Sequence, residues 1–273
     1  MPEARTSKIP GFHTLLEGDS GAGKTTALRT LVTDCGLELF TIFTEPSQAV
    51  ISDLPNTHFY FVKPTVAKGW ETLHDMGTRV HSFGPDTLQK ASGTNSGQKQ
   101  FLEIVETLNN FVCSCHGQSF GDVEGWGTNR VLALDGLSRF SDYVRALMVG
   151  DKTLLTQPEW GIGMNVIHTF IRQVVEKLWC HLVMIAHLEY EKDDTTGTMK
   201  RFPRTLGRKL GPTLPEMFND AVLVERNGLT FIWNSIPSDT IARAGFLPLN
   251  QKLSPTFKTI IDAWKAKGGV VES

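Results

Sequence analysis

The sequence predicts an α/β fold in which a mostly parallel sheet is flanked by helices. Short apolar runs of strand length alternate with segments of helical periodicity. A glycine-rich loop lies between the first predicted strand and the first predicted helix, and Arg226-Asn227-Gly228 carries the Asn-Gly signal of a tight antiparallel hairpin. The chain of 273 residues is 40% hydrophobic and 21% charged, a composition typical of a globular protein.

The apolar runs assign the elements in order. Strands are predicted at Phe12–Leu16, Leu39–Thr44, His58–Val62, Val131–Leu134, His181–Ala186, Ala221–Glu225 and Leu229–Asn234. Helices are predicted at Lys24–Val32, Trp70–Phe83, Gln98–Cys115, Met164–Leu178 and near Pro255–Lys265, with a polar loop at Ala91–Gly97 and a glycine-rich loop or small hairpin at Gly117–Gly127. Without a repeat or a break in composition, a single domain is expected over residues 1–273. Its core is expected at about 11–250 and its C-terminal helix at about 255–267.

Composition excludes several classes of protein. The net charge of −2 gives no global basic field for nucleic acid. Met1–Pro10 is polar and mixed, and the longest apolar run, around Leu182–Ala186, is strand-sized, so neither a signal peptide nor a membrane span is predicted. The four cysteines do not suggest a disulfide framework, which favours a cytoplasmic location. Cys113-Ser-Cys115-His116 is interpreted as a helix end, because no second pair lies at metal-ligand spacing.

The strongest motif is the phosphate loop, residues Gly18–Thr25, which fits G-x-x-x-x-G-K-[ST]. Its expected nucleotide-binding residues are Gly18, Asp19, Ser20, Gly21, Ala22, Gly23, Lys24 and Thr25, with Thr26 beside them. Glycines allow backbone N–H groups to curl around phosphates. Lys24 is expected to reach the β- and γ-phosphates and Thr25 to ligate Mg²⁺. ATP is favoured over GTP because no Asn-Lys-x-Asp signal is present.

A second acid should accompany this loop. Asp135 follows the apolar strand Val131–Leu134, at the edge of the sheet where ligands bind in such folds, and is expected to orient the metal. The next residue is Gly136, whereas many ATPases of the AAA+ type have glutamate there. Glu45, at the end of Leu39–Thr44, is therefore the candidate base, on a strand expected to neighbour the phosphate-loop strand. A capping glutamate before Pro46 is the structural alternative.

His187 ends another buried strand. A polar side chain at that tip could contact the γ-phosphate and transmit its loss to the following loop. The alternative is a histidine that caps its strand. The remaining histidines (13, 58, 74, 81, 116, 168 and 181) form no group to which the sequence assigns chemistry.

A basic stretch, residues 199–210, contains no acid. Its basic residues are Lys200, Arg201, Arg204, Arg208 and Lys209. A mobile loop that contacts a DNA backbone, a kinase-like lid over the nucleotide and an ordinary solvated surface all fit this pattern. Trp160 could stack on bases or pack at a helix start, and Trp70, Trp126, Trp179, Trp233 and Trp264 are assigned to the core.

The order of these features resembles the RecA/RadA recombinase core, and more closely phage-encoded RecA-like ATPases associated with single-strand annealing. Over residues 11–250 the family-like stretches are Val131–Ser138, Glu159-Trp160-Gly161, Ile185-Ala186-His187 and Leu206–Leu210. The resemblance implies a RecA-type P-loop NTPase core. It assigns catalysis to Lys24 and Glu45, with Asp135 as the acid of the magnesium site. His187 becomes the γ-phosphate sensor.

The resemblance also implies partners. These are single-stranded DNA, further copies of the chain in a ring or filament, and a phage annealing or replication protein. Arg243 is similar to the second residue of a basic pair that reaches a neighbour's ATP, although the first position is Ile241. A DNA-stimulated ATPase in phage recombination or replication is therefore the leading hypothesis. A small-molecule kinase, a helicase or packaging motor, and a nucleotide-gated module without turnover are the alternatives.

Overall fold

The computed structural model describes residues 9–63, 97–150, 155–192 and 197–272, together with positions 71, 74, 77 and 78. The strands are β1 (His13–Glu17), β2 (Glu38–Phe43), β3 (Thr57–Phe61), β4 (Arg130–Asp135), β5 (His181–Ala186), β6 (Leu188–Lys192), β7 (Met199–Pro203), β8 (Asp220–Asn227), β9 (Thr230–Asn234) and β10 (Arg243–Ala244). The helices are α1 (Lys24–Ala27), α2 (Arg29–Thr33), α3 (Gly97–Asn109), α4 (Leu137–Val149), α5 (Gln157–Lys177) and α6 (Lys258–Ala266). Short 3₁₀ turns lie at Gln48–Val50, Val123–Gly125 and Gly211–Met217.

The central sheet has the order β10-β8-β1-β5-β4-β2-β3, and β9 also pairs with β8. All neighbours from β8 to β3 are parallel, whereas β9 and β10 run antiparallel to β8. The α/β class, the mainly parallel sheet and the hairpin of β8 and β9 are therefore confirmed. A separate antiparallel pair, β6 and β7, leaves the sheet directly after β5.

The central strands are apolar along their length because helices or loops cover both faces of the sheet. In β4, Leu132 and Leu134 belong to the core on one face, whereas Val131 and Ala133 belong to the core on the other. The first core also receives α4 and α5, and the second receives α1, α2 and α6. Burial on both faces fixes the register of the strands and therefore the positions of their ends.

The position of β2 differs from the prediction. The strand that precedes Glu45 pairs with β3 and β4 and does not neighbour β1, because β4 and β5 lie between them. Crossover connections in a parallel sheet can pass over a neighbouring position, so closeness in sequence does not fix the order of strands. The carboxyl end of β2 still meets the same edge of the sheet as the phosphate loop.

Several helices also differ from the prediction. The segment after the phosphate loop is divided at Leu28 into α1 and α2, and α4 was not expected at all. Helix α5 begins at Gln157, before the predicted Met164, where the Glu159 carboxylate accepts a hydrogen bond from the Thr156 backbone N–H at 2.8 Å. Within the described ranges, no helix is long and apolar enough to cross a membrane.

The cysteine-containing segment is not the end of a helix. Helix α3 ends at Asn109, and residues 111–121 form a short hairpin, here called the cysteine hairpin, with a backbone bond from Cys113 N to Gln118 O at 2.9 Å. The Ser114 N–H donates to the Phe59 carbonyl at 2.8 Å, so the hairpin covers the outer edge of β3. Unpaired edge groups of a strand need such a partner or water, and this need outweighs the helical periodicity.

Two further predictions concern loops and tryptophans. The basic stretch begins as strand β7, which pairs with β6, and is therefore not wholly a loop. Trp126, Trp233 and Trp264 are buried as predicted, but Trp179 is 42% exposed. Of the predicted helix Trp70–Phe83, the structure describes positions 71, 74, 77 and 78, which are helical. Trp70 and the loop Ala91–Gly97 up to its last residue lie outside the described residues.

Glu17, the last residue of β1, is fully buried. Its Oε1 accepts a 3.5 Å hydrogen bond from Thr240, and its Oε2 has no hydrogen-bond partner among the described residues. Burial raises the pKa of this carboxyl from 4.5 to about 8, although the Thr240 hydrogen bond and the charge of Arg201 lower it. The folded chain therefore holds a proton that the unfolded chain releases, and stability falls as pH rises between these two values.

We expect Glu17→Gln to remove this pH dependence, because glutamine has the same shape and does not ionise. Near pH 4.5 the variant and wild type should unfold at similar urea concentrations. At pH 8.5 the variant should be more stable by an amount on the order of 2–4 kcal/mol. Urea unfolding at several pH values measures the difference. Glu106→Gln, at an exposed position of α3, serves as the control, and an equal offset for Glu17→Gln at every pH would contradict the assignment.

Candidate functional site

The phosphate loop meets β4 at the carboxyl edge of the sheet. The Thr25 hydroxyl donates to Asp135 Oδ2 at 2.8 Å, which joins two motifs far apart in the sequence. The loop leaves β1 after Glu17, and Asp135 is the last residue of β4. Gly23 precedes α1 with a φ of 92°, and a Cβ there would lie 2.8 Å from the Phe231 ring of β9. The two residues predicted to hold Mg²⁺ are thus in direct contact, and their role as metal ligands stays a prediction.

Lys24 lies within the phosphate loop. Its Nζ donates to the carbonyl oxygens of Gly18 and Asp19, both at 2.7 Å, and the residue is buried. Burial lowers the pKa of Lys24 to about 8, while the negative charges of Asp135, Asp19 and Glu45 oppose that change. The ammonium thus contacts backbone oxygens inside the loop and little water. A polyanion that enters the loop would meet a cation with little solvent to displace.

Asp135 is also poorly solvated. Burial raises the pKa of its carboxyl to about 6, and the hydrogen bond from Thr25 is the largest opposing influence. The nearby charge of Glu45 raises that pKa further, whereas Lys24 lowers it. A cation at this position would relieve the cost of the buried carboxylate.

Glu45 and His187 meet above the ends of β2 and β5. Glu45 Oε2 lies 3.4 Å from His187 Nε2, and both side chains are about one-third exposed, at 32% and 29%. The hydrogen bond from His187 lowers the pKa of Glu45, and this effect exceeds the opposing effect of burial. Glu45 is therefore a carboxylate at neutral pH, in a position open to water.

Gly136 explains why no glutamate follows Asp135. Its φ is 111°, and a Cβ at this position would collide with Thr44 Oγ1. The Thr44 hydroxyl instead donates to the carbonyl oxygens of Asp135 and Gly136, at 3.1 and 3.0 Å. This close approach puts Glu45 beside Asp135. Thr44 and Gly136 therefore position Glu45, the candidate base that follows β2. Thr44 was not predicted, since its role depends on the pairing of β2 with β4.

Ser138 connects the site to the basic stretch, although no role was assigned to it from the sequence. The His187 N–H donates to Ser138 Oγ at 3.1 Å, and the Ser138 hydroxyl donates to the Arg204 carbonyl at 3.1 Å. The Arg204 N–H in turn donates to the His187 carbonyl at 2.7 Å. These three bonds form a closed ring that holds the backbones of His187 and Arg204 together.

Beside this ring lies a cleft of about 300 Å³, here called the arginine cleft. Its lining includes Arg145, Arg204, Arg208 and Trp160, with Asp142 and Glu189 as acids. Trp160 is 36% exposed and lies in the first turn of α5, so it is at a helix start and also faces a surface. Three arginines against two carboxylates leave the cleft with a small positive excess.

Acids accompany several members of the basic stretch. Arg201 pairs with Asp239 at 2.6 Å and with Glu225 at 3.4 Å, Arg208 pairs with Glu191 at 3.2 Å, and Arg204 lies 3.9 Å from Asp142. Lys200 and Lys209 are exposed. The charge of the stretch is therefore largely balanced in space, although no acid occurs within it. A role in DNA binding stays a prediction for these residues.

Two other contacts locate elements around the site. The Tyr190 hydroxyl of β6 donates to Asp19 Oδ2 at 2.7 Å, so the β6–β7 pair touches the phosphate loop. Arg243 lies on β10 opposite Ala221, near the amino end of β8, and donates to the Glu216 carbonyl of its own chain. The structure does not bring Arg243 to the other site residues, and a trans-acting role stays a prediction.

Known proteins offer little guidance. No model of a protein family matches the chain, and no curated protein matches it. Among solved structures, the assembled ATPase EscN from the type III secretion system of enteropathogenic E. coli is similar over 79% of this chain, with a TM-score of 0.39 and 11% identity. The chain spans 43% of the length of that protein. A likeness of this degree carries no argument about function.

We expect Gly136→Ala to lower stability more than Gly36→Ala. Both glycines have positive φ, 111° and 69°, but a Cβ at Gly36 meets no atom within 4 Å. The control therefore carries only the backbone strain, whereas Gly136→Ala must also displace Thr44. The excess loss should be at least about 1 kcal/mol in urea unfolding. Equal losses would show that Gly136 is needed for its backbone angle alone.

Proposed function

We propose that the chain binds ATP with Mg²⁺ and hydrolyses it, as a RecA-like P-loop ATPase. The hydrogen bond between Thr25 and Asp135 carries this proposal. It unites the phosphate loop with a buried acid at the edge where parallel α/β sheets bind ligands. Lys24, Glu45 and His187 surround the same point.

The residues present suit the expected ligands. Thr25 and Asp135 offer a hydroxyl and a carboxylate oxygen 2.8 Å apart, which are the hard ligands that Mg²⁺ prefers. Burial is the main cause of the raised pKa of Asp135, and the positive charge of a divalent cation would offset the cost of burying this carboxylate. When bound, Mg²⁺ would neutralise charge that develops on the phosphates. Lys24 would exchange its two carbonyl partners for phosphate oxygens.

Hydrolysis then needs a base for the attacking water. The oxygen of a water molecule forms a bond to the γ-phosphorus, and the bond from that phosphorus to the β–γ bridging oxygen breaks, so its electron pair leaves with ADP. The Glu45 carboxylate accepts the proton of the water and later releases it to solvent or phosphate. His187 holds Glu45 in position, and the ionised state of Glu45 at neutral pH suits this role. Lys24 stabilises the charge on the transferred group.

We expect Glu45→Gln to bind ATP normally but to lower kcat by roughly 100-fold or more, because the amide cannot accept the proton. Lys24→Ala should lose most ATP binding as well. Phosphate release and binding of a fluorescent ATP analogue measure the two effects separately. Glu106→Gln is the matched control on an exposed helix face. Normal turnover by Glu45→Gln would remove Glu45 from the mechanism, and absence of ATP binding by the wild type would overturn the proposed function.

We further propose that single-stranded DNA is the regulator, in phage recombination or replication, and that the chain acts as a homo-oligomer. The arginine cleft supports the proposal of DNA binding. An exposed tryptophan can stack on a base, and the arginines beside it can pair with phosphates. The hydrogen-bond ring of Ser138 gives the physical route to the ATP site. A ligand that moves Arg204 changes the backbone of His187, and His187 holds Glu45.

We expect Trp160→Ala to weaken binding of a labelled oligo-dT by roughly 5- to 150-fold, since stacking on one base contributes about 1–3 kcal/mol. Trp179→Ala is the matched control, because Trp179 is similarly exposed, at 42%, and does not line the cleft. Fluorescence anisotropy measures binding, and phosphate release with and without oligo-dT measures stimulation. Equal affinities for Trp160→Ala and wild type, or no stimulation of the wild type, would overturn the DNA proposal while leaving ATP hydrolysis intact.

A further inference from the structure

Four potential metal ligands converge at the β3 edge of the sheet, away from the phosphate loop. They are His58 of β3 and Cys113, Cys115 and His116 of the cysteine hairpin. One ligand atom from each residue lies within 4.8 Å of the others. Ligands around a tetrahedral zinc ion are separated by roughly 3.3–3.8 Å, which follows from bond lengths of about 2.0–2.3 Å. The four atoms thus lie close enough for a closed site with two sulfur and two nitrogen ligands, once the two sulfur atoms, which are bonded to each other in this structure, separate.

We propose that the cluster of His58, Cys113, Cys115 and His116 is a structural zinc site when its cysteines are reduced. Thiolate and imidazole ligands in tetrahedral arrangement select Zn²⁺ over the hard cation expected at the phosphate loop. From the sequence, no metal was expected at Cys113, because no second pair of ligands lies near it in the chain. His58 provides the missing ligand from a separate strand, and the fold alone brings it there.

The surroundings of His58 are those of a metal-bound histidine. Its Nε2 lies 3.4 Å from Glu38 Oε1, and Glu38 is held by Arg130 at 2.8 Å. Its Nδ1 is buried and has no hydrogen-bond partner among the described residues. When Nε2–H donates to Glu38, Nδ1 carries the lone pair. A metal ion is the partner that this lone pair could bind. A carboxylate behind a histidine is the common second contact in zinc sites.

The hairpin presents the other three ligands from one tight turn. His116 Nδ1 lies 3.7 Å from Cys113 Sγ and 3.1 Å from Cys115 Sγ. The Cys115 N–H donates to Cys113 Sγ at 3.3 Å, a contact that stabilises a thiolate. Since Ser114 is bonded to the Phe59 carbonyl, the turn is held against the strand that carries His58. A bound ion would lock the hairpin onto the sheet edge.

Cys113 and Cys115 form a disulfide in this structure, so the zinc-bound and oxidised forms exclude each other. A thiol reductant supplies two electrons and two protons to the disulfide and itself becomes a disulfide. The two cysteine thiols then each lose a proton when Zn²⁺ binds. A small thiol can attack the exposed Cys115 sulfur, which releases the buried Cys113 as a thiolate, and a second thiol then completes the reduction.

The test is metal binding by the full chain after reduction with a phosphine and removal of oxygen. The protein is dialysed against Zn²⁺ and then against buffer, and zinc is counted by plasma mass spectrometry. Co²⁺ is used in parallel, because thiolate-bound tetrahedral cobalt has intense visible bands. We expect about one zinc per chain and the cobalt bands for the wild type. Cys115→Ser and His116→Asn, at exposed positions, should lower zinc affinity by at least roughly 10-fold.

Two variants make the test specific. Cys35→Ser removes a half-buried cysteine outside the cluster and should retain zinc. Glu38→Gln leaves all four ligands and should weaken zinc binding by roughly 10- to 100-fold through the orientation of His58. Circular dichroism confirms that each variant is folded. A reduced wild type without stoichiometric zinc, unchanged binding by both ligand variants, or an equal loss in Cys35→Ser would overturn the proposal.

Discussion

The contact between Thr25 and Asp135 depends on the register of four parallel strands. Glu17 of β1 pairs with Ala186 of β5, and Asp135 of β4 lies opposite Ile185. The next pairing places Phe43 of β2 opposite Asp135. Each strand therefore ends at the same height, which brings Asp135 at the end of β4, Glu45 two residues after β2 and His187 directly after β5 to one edge of the sheet. A slip of one residue in any pair would turn these side chains to the other face and separate the site.

This geometry concentrates negative charge around one lysine. Asp135 and Glu45 raise the pKa of Lys24, but burial lowers it by more. The same burial raises the pKa of Asp135 to about 6, while Glu45, nearer to water and bonded to His187, keeps a lowered pKa. Two carboxylates at one edge thus differ in their affinity for protons. The buried one suits a cation, and the open one suits the proton of a water molecule.

The sequence predicted the features that depend on local pattern. Apolar runs located the strands of the central sheet apart from β10. The ends of those runs predicted that Asp135, Glu45 and His187 would meet, because parallel strands share a carboxyl edge. It failed where distant segments decide the outcome. Helical periodicity continued through Cys113, but the open edge of β3 bound the segment as a hairpin. No role was assigned to Thr44 or Ser138 from the sequence, since each hydroxyl acts through a backbone carbonyl of a distant segment.

The ring formed by His187, Ser138 and Arg204 has a consequence for any coupling between the two sides of the site. Each of its three bonds uses a backbone group of His187 or Arg204, so no side chain of the basic stretch needs to reach the nucleotide. Arg204 itself remains 55% exposed in its side chain and available to a ligand in the arginine cleft. A signal can therefore pass through main-chain positions while the charges face solvent. Regulation in this chain would depend on Ser138 more than on the arginine side chains of the basic stretch.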